Sequence, residues 1–186
     1  MLAAKARMLG FDILTATLRK AGAAVSPIRR WTAGLVRVAQ AIYVRQCANL
    51  KRKAVLCVGM PPARLLRREV PAGVVAGNLT RIGWTKMEHA GMRQYFRFGA
   101  FAEPAKDRAG LVKIAIRHAR GEGWIDRGSR LSPAGDHPNE ILAARANGVP
   151  SIAGATGLGP SEELAAHGPD IVVPDLRSLE LEMPLR

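Results

Sequence analysis

From Gly73 onward the sequence alternates short apolar runs with stretches of helical periodicity, and this alternation limits the fold more than any single residue does. GVVAGN at 73–78 has the pattern of a short buried strand ending on a glycine turn. Residues 79–90 then place Leu79, Ile82, Lys86 and Ala90 on one helical face, and Gly91 supplies the stop. FRFGAF at 96–101 alternates aromatic residues as a strand does. Asp107 is placed to cap a helix running through Arg120, with Leu111, Ile114, Ala115 and His118 on one stripe. A further helix is expected from Asn139 to Asn147, with Pro138 near its first position and Gly148 past its last. VPSIAG at 149–154 and DIVV at 170–173 read as strands, and Ser161 opens a short helix between them, with Glu162 and Glu163 at its positive end. Short apolar strands separated by helices predict a parallel sheet covered on both faces, an α/β fold.

The first 71 residues are a different kind of sequence. They carry 14 Lys and Arg against only Asp12 and Glu69, so they hold +12 of the chain's net charge of +13. LVRVAQAIYV at 35–44 suggests a helix and KAVLCVG at 53–59 a strand, but arginines interrupt the apolar faces repeatedly. Such a basic half fits contact with nucleic acid or a membrane surface. It also fits an organellar targeting segment, or a misread frame of a GC-rich gene, which likewise yields Arg, Ala, Pro and Gly without acids. The expected division is a basic N-terminal region over 1–71 and an α/β core over 72–186. An apolar share of 48% excludes a disordered chain, and no apolar run is long enough for a spanning helix. Cys47 and Cys57 fit neither a disulfide framework nor a metal spacing, which points to a reducing cytoplasm. With 5% aromatic residues there is little base-stacking surface, so nucleic acid is not the favoured partner.

Ligands of open α/β sheets bind where strands end and helices begin, and three such junctions are visible. They are the turn at Gly77 and Asn78, the loop EPAKDR at 103–108, and GDHPNE at 135–140. Glycines there admit backbone N–H groups to an anion, and helix N-termini favour phosphate. Asp136 and Glu140, four apart around a helix start, suit a hard cation that keeps positions open for water and phosphate oxygens, as Mg²⁺ does. Taken alone, the same two acids also suit a helix cap and a solvated carboxylate. His89, His118, His137 and His167 show no metal-binding spacing and are expected to be solvated or packing residues, His137 alone lying at a candidate site.

From about Gly73 to Val173 these residues resemble the haloacid-dehalogenase-like hydrolase superfamily, and especially its phosphoglycolate-phosphatase-like members. The resemblance rests on GVVAGNLTRIGWTKMEHAGMRQYFRFGAF, AEPAKDRAGLVKIAIRHA and GDHPNEILAARANGVPSIAGATGLG, in that order. It implies a Rossmann-like parallel sheet with helices on both faces, which this chain would carry complete or incomplete. It implies Mg²⁺-dependent hydrolysis of small phosphate monoesters through an aspartyl-phosphate, with a small phosphorylated metabolite as partner. On that resemblance Asp136 and Glu140 match the metal acids, although Asp is usual where Glu140 stands. Arg108, with Lys106 as the alternative, matches the basic phosphate ligand, and Gly77 and Asn78 match the phosphate-side turn. Asp12, in GFDILTATL at 10–18, echoes the nucleophile, which is also a metal ligand in the family.

Several positions depart from that pattern. Ala76 stands where a phosphate-binding hydroxyl belongs, and Leu14 where the proton-moving Asp belongs. Losing a general acid/base costs roughly two to four orders of magnitude in rate, and losing a transition-state donor about two to three more. RLSPA at 130–134 places Pro133 where an apolar strand should run. The segment between Asp12 and Gly73, where a cap would lie, is short and basic and matches no cap. The sequence therefore predicts weak or absent turnover. The alternatives are a non-catalytic binding protein using its basic half, or an incomplete domain from a degenerate gene.

Overall fold

The computed structural model describes residues 9–47, 60–155 and 161–174. The segment expected as a strand at 53–59 lies outside them.

Four helices come first: α1 (Gly10–Lys20), α2 (Val25–Arg30), α3 (Thr32–Cys47) and α4 (Met60–Arg67). The α/β part follows as β1 (Gly73–Val75), α5 (Thr80–His89), a single 3-10 turn at 93–95 and β2 (Phe98–Ala100). It continues through α6 (Arg108–Gly121), β3 (Ala134–Gly135), α7 (Pro138–Ala146), β4 (Ile152–Gly154), α8 (Ser161–Ala166) and β5 (Ile171–Val173). All strand pairs are parallel. β1 pairs with β2, Gly73 opposite Phe98, and β3–β4–β5 form a second sheet with Ile152 opposite Ala134 on one side and Ile171 on the other.

Strand alternation sends successive residues of β2 to opposite helices. The Phe98 ring turns toward α6, its centroid 5.2 Å from that of His118 and 5.5 Å from that of Trp124. At Gly99 an added Cβ would run into Phe101 and into Trp84 of α5. Phe101 in turn stands edge-on to Trp84, at 5.2 Å, and covers Gly83. The β1–β2 sheet is thus covered on both faces, as the apolar runs imply.

Two buried clusters hold the layers. Leu9, Ala102 and Leu111 join the start of α1 to α6, with Val75 packed against them. Ile141, Ala153 and Leu164 join α7, β4 and α8. Helix ends follow local chemistry. The Asp107 carboxylate accepts from the Gly110 N–H at 2.7 Å, and Gly148 takes φ 65°, the left-handed geometry that closes a helix.

Three elements differ in detail from the sequence pattern. GFDILTATL lies wholly within helix α1, where Asp12 stands in the first turn and suits the positive helix end. β3 is only two residues long. Pro133 lies outside it and lends only its carbonyl, which accepts from the Ile152 N–H at 2.9 Å, so no ladder donor is missing. The cap of α7 is His137, whose Nδ1 accepts from the Asn139 N–H at 3.1 Å.

Candidate functional site

Three chain segments meet the carboxyl ends of the strands. The turn after β1 carries Gly77 and Asn78, the loop after β2 carries Glu103 to Arg108, and the turn after β3 carries Asp136 to Glu140.

Arg108 opens α6 and Glu140 lies in the first turn of α7. Their side chains meet, with Arg108 Nη2 3.0 Å from Glu140 Oε1, both largely buried at 24% and 20% side-chain exposure. Gly135 makes this possible, because any Cβ there would collide with the Glu140 stem. The second carboxylate oxygen, Glu140 Oε2, is buried with no hydrogen-bond partner among the described residues. Burial pushes the Glu140 carboxyl above its usual range, against the opposing pull of the Arg108 charge. Asp136 is exposed, four residues earlier.

A second set of contacts is built on the turn after β1. The Gly10 N–H donates to the Gly77 carbonyl at 2.5 Å, which docks the start of α1 on this turn two residues before Asp12. A side chain at Gly10 would meet backbone, Leu79 N at 3.0 Å and Gly77 O at 3.1 Å. Asn78 is engaged elsewhere: its carbonyl accepts from the Ala102 N–H at 3.0 Å, and its Oδ1 accepts from Lys86 Nζ at 2.7 Å. That ammonium also lies 5.6 Å from the Tyr43 ring, and burial of its tip lowers the lysine pKa.

Thus Arg108 joins Glu140, and the helix bearing Asp12 joins Gly77. Asp12 is exposed, and Asp12, Asp136 and Glu140 do not gather with one another as a three-acid metal cluster. Lys106 is exposed in the loop ahead of Arg108.

Sequence reasoning missed Glu103. Its Oε1 accepts from the Thr80 N–H at 2.7 Å and its Oε2 from the Thr80 hydroxyl at 2.9 Å, so an internal carboxylate occupies the N-terminus of α5. The only available signal was an acid placed directly after the second strand.

No family model matches the chain, and no curated protein does. Solved structures do. A protein from Clostridium difficile assigned as a phosphatase shares 16% identity over 62% of this chain and 54% of its own, with a TM-score of 0.52. One from Clostridium acetobutylicum, also assigned as a phosphatase, shares 20% identity over 63% of this chain and 54% of its own, with a TM-score of 0.53. A haloacid dehalogenase-like family hydrolase from Streptococcus pneumoniae shares 18% identity over 61% of this chain and 52% of its own, with a TM-score of 0.49. The chain therefore has a Rossmann-like α/β fold, shared with the two Clostridium structures. It spans about half the length of the chains it matches.

Proposed function

We propose that this chain is a haloacid-dehalogenase-like hydrolase domain that binds small phosphate monoesters beside Arg108 and Glu140, at the starts of α6 and α7, and turns them over weakly or not at all. The observation that carries this reading is the Arg108–Glu140 pair at 3.0 Å, with Glu140 Oε2 buried and unpartnered at a strand end. A guanidinium offers several N–H donors in a fixed plane, so Arg108 can hold a phosphoryl group while remaining beside its carboxylate. The orphaned oxygen together with Asp136 is a donor set that fits a hard cation, which takes few protein carboxylates and keeps its remaining positions for water and phosphate. Mg²⁺ bound there would neutralise charge on the phosphoryl oxygens.

The protein's own groups would act as follows. Arg108 orients the ester, and the Gly77 turn and Lys106 line its anionic side. The Asp12 carboxylate would attack phosphorus, forming an acyl phosphate as the bond to the alkoxide breaks, and water would then cleave the acyl phosphate to release phosphate and restore the carboxylate. That alkoxide needs a proton, and Leu14 has none to give. Water must supply it, which is the chemical reason for slow turnover. Ala76 likewise withdraws one donor from the phosphoryl oxygens.

The exposed position of Asp12 in a helix, apart from the paired acids, favours a second reading of ligand binding without turnover. The test is release of phosphate from an aryl phosphate with and without Mg²⁺, in the wild type and in Asp136→Ala. The enzyme reading expects weak release that needs both the metal and Asp136. Release that is absent, or indifferent to both, removes that reading. Calorimetric titration with a non-hydrolysable phosphonate then separates binding without turnover from no site at all.

A further inference from the structure

From Ile13 to Arg68 the sequence contains no Asp or Glu, and in the same region the structure leaves large apolar side chains in solvent. Val25, Trp31, Val38 and Ile42 are exposed, Trp31 at 63%, and the Arg30 guanidinium lies 5.8 Å from the Trp31 ring.

Helix α3 shows how these groups are arranged. Its inward side faces α5: the Gln40 Oε1 accepts from the Arg81 N–H at 2.7 Å, Tyr43 lies against Lys86, and Cys47 is buried. At about 100° per residue the opposite side carries Val38, Ala41, Ile42 and Arg45, with Arg37 on its flank, and each of these is exposed. Val38 and Arg45 stand almost directly opposite the residues that anchor the helix. The outer face is therefore cationic and apolar together, and free of acids.

We infer that the outer face of α2 and α3 is a docking surface for an anionic lipid bilayer, on which the protein lies without spanning it. Charge complementarity selects a polyanion. The apolar residues select among polyanions, because Val, Ile and Trp gain little against a sugar-phosphate backbone but lose water contact at the boundary of headgroups and acyl chains. Trp suits that boundary, and arginines beside it reach phosphate headgroups. Among the described residues no helix is long and apolar enough to cross a membrane, which is consistent with a surface-bound mode.

The test is co-sedimentation of the full chain with vesicles of phosphatidylcholine alone or of phosphatidylcholine mixed with phosphatidylglycerol. Binding is expected only to the mixed vesicles and should weaken as salt rises. Trp31→Ala, and the pair Val38→Ser with Ile42→Ser, should each lower affinity about tenfold while the circular dichroism spectrum and melting midpoint hold, since these side chains are exposed. Arg37→Glu with Arg45→Glu should abolish binding. The proposal fails if mixed vesicles do not bind at low salt, or if the apolar variants bind as the wild type does. Tighter binding to duplex nucleic acid than to mixed vesicles, insensitive to Trp31→Ala, would overturn it in favour of a nucleic-acid surface.

Discussion

At the scale of single residues, the Arg108–Glu140 pair sets the strongest constraint. Both side chains are largely buried, so removing one leaves the other as an uncompensated polar group. Arg108→Ala should therefore destabilise the fold by roughly 1–3 kcal/mol in urea unfolding, more than Arg108→Ala combined with Glu140→Leu. Equal losses for the single and double changes would show that the pair contributes little. Gly135→Ala should act on the same contact, since the new methyl group displaces the Glu140 stem; a cost of about 1–3 kcal/mol is expected. Asp170 contributes to the response to acid. Its carboxyl accepts from the Ser151 N–H at 2.7 Å, which holds its pKa below the usual carboxylate value. The unfolded chain therefore takes up this proton at higher pH than the folded one. The stabilisation is complete above the ordinary carboxylate pKa and disappears as pH falls through the depressed one. Asp170→Asn should flatten that acid limb of a plot of unfolding midpoint against pH and leave the neutral limb with the same slope.

At the scale of elements, the sequence was legible wherever local signals agreed. Asp107 and Gly110, Pro138 at the first turn of α7, and Gly148 past its end mark helix boundaries through backbone chemistry that acts within four residues. The paired apolar runs of β1 and β2 were equally readable. GFDILTATL was not: its composition permits strand or helix, and the docking of Gly10 on the Gly77 carbonyl is a contact between distant segments that no window reveals. The site divides in the same way. Arg108, Asp136 and Glu140 were expected from the motif, and of these the structure pairs Arg108 with Glu140 and leaves Asp136 exposed. The hold of Glu103 on Thr80, by contrast, spans 23 residues and lies beyond any local pattern. That contact makes Glu103 the true cap of α5. Glu103→Ala should cost about 0.5–2 kcal/mol and fray the first turn of α5, readable as faster amide exchange at Thr80 and Arg81.

At the scale of the molecule, the described strands form two separate sheets. Among the described residues β1 has only β2 as a partner and β3 only β4, so each keeps one unpaired edge, while β4 is paired on both sides and Ala153 is fully buried. Backbone donors in both regions are bonded: Ala76 N–H to the Ala100 carbonyl at 3.0 Å, and Ile152 N–H to the Pro133 carbonyl at 2.9 Å. Bond length therefore does not separate them; the cost of opening does. Releasing Ile152 requires parting β4 from β3 and disturbing the Ile141–Ala153–Leu164 cluster, whereas releasing Ala76 parts β1 from a single described strand and disturbs the partly buried Val75 on the Leu9–Ala102–Leu111 cluster. Opening free energies differ between such units within one protein. Native-state hydrogen exchange should protect Ile152 about tenfold or more over Ala76. Equal protection at the two amides would mean that both sheets open together, and that the packing of α6 on β1, β2 and α7 is strong enough to bridge the break in the strand ladder.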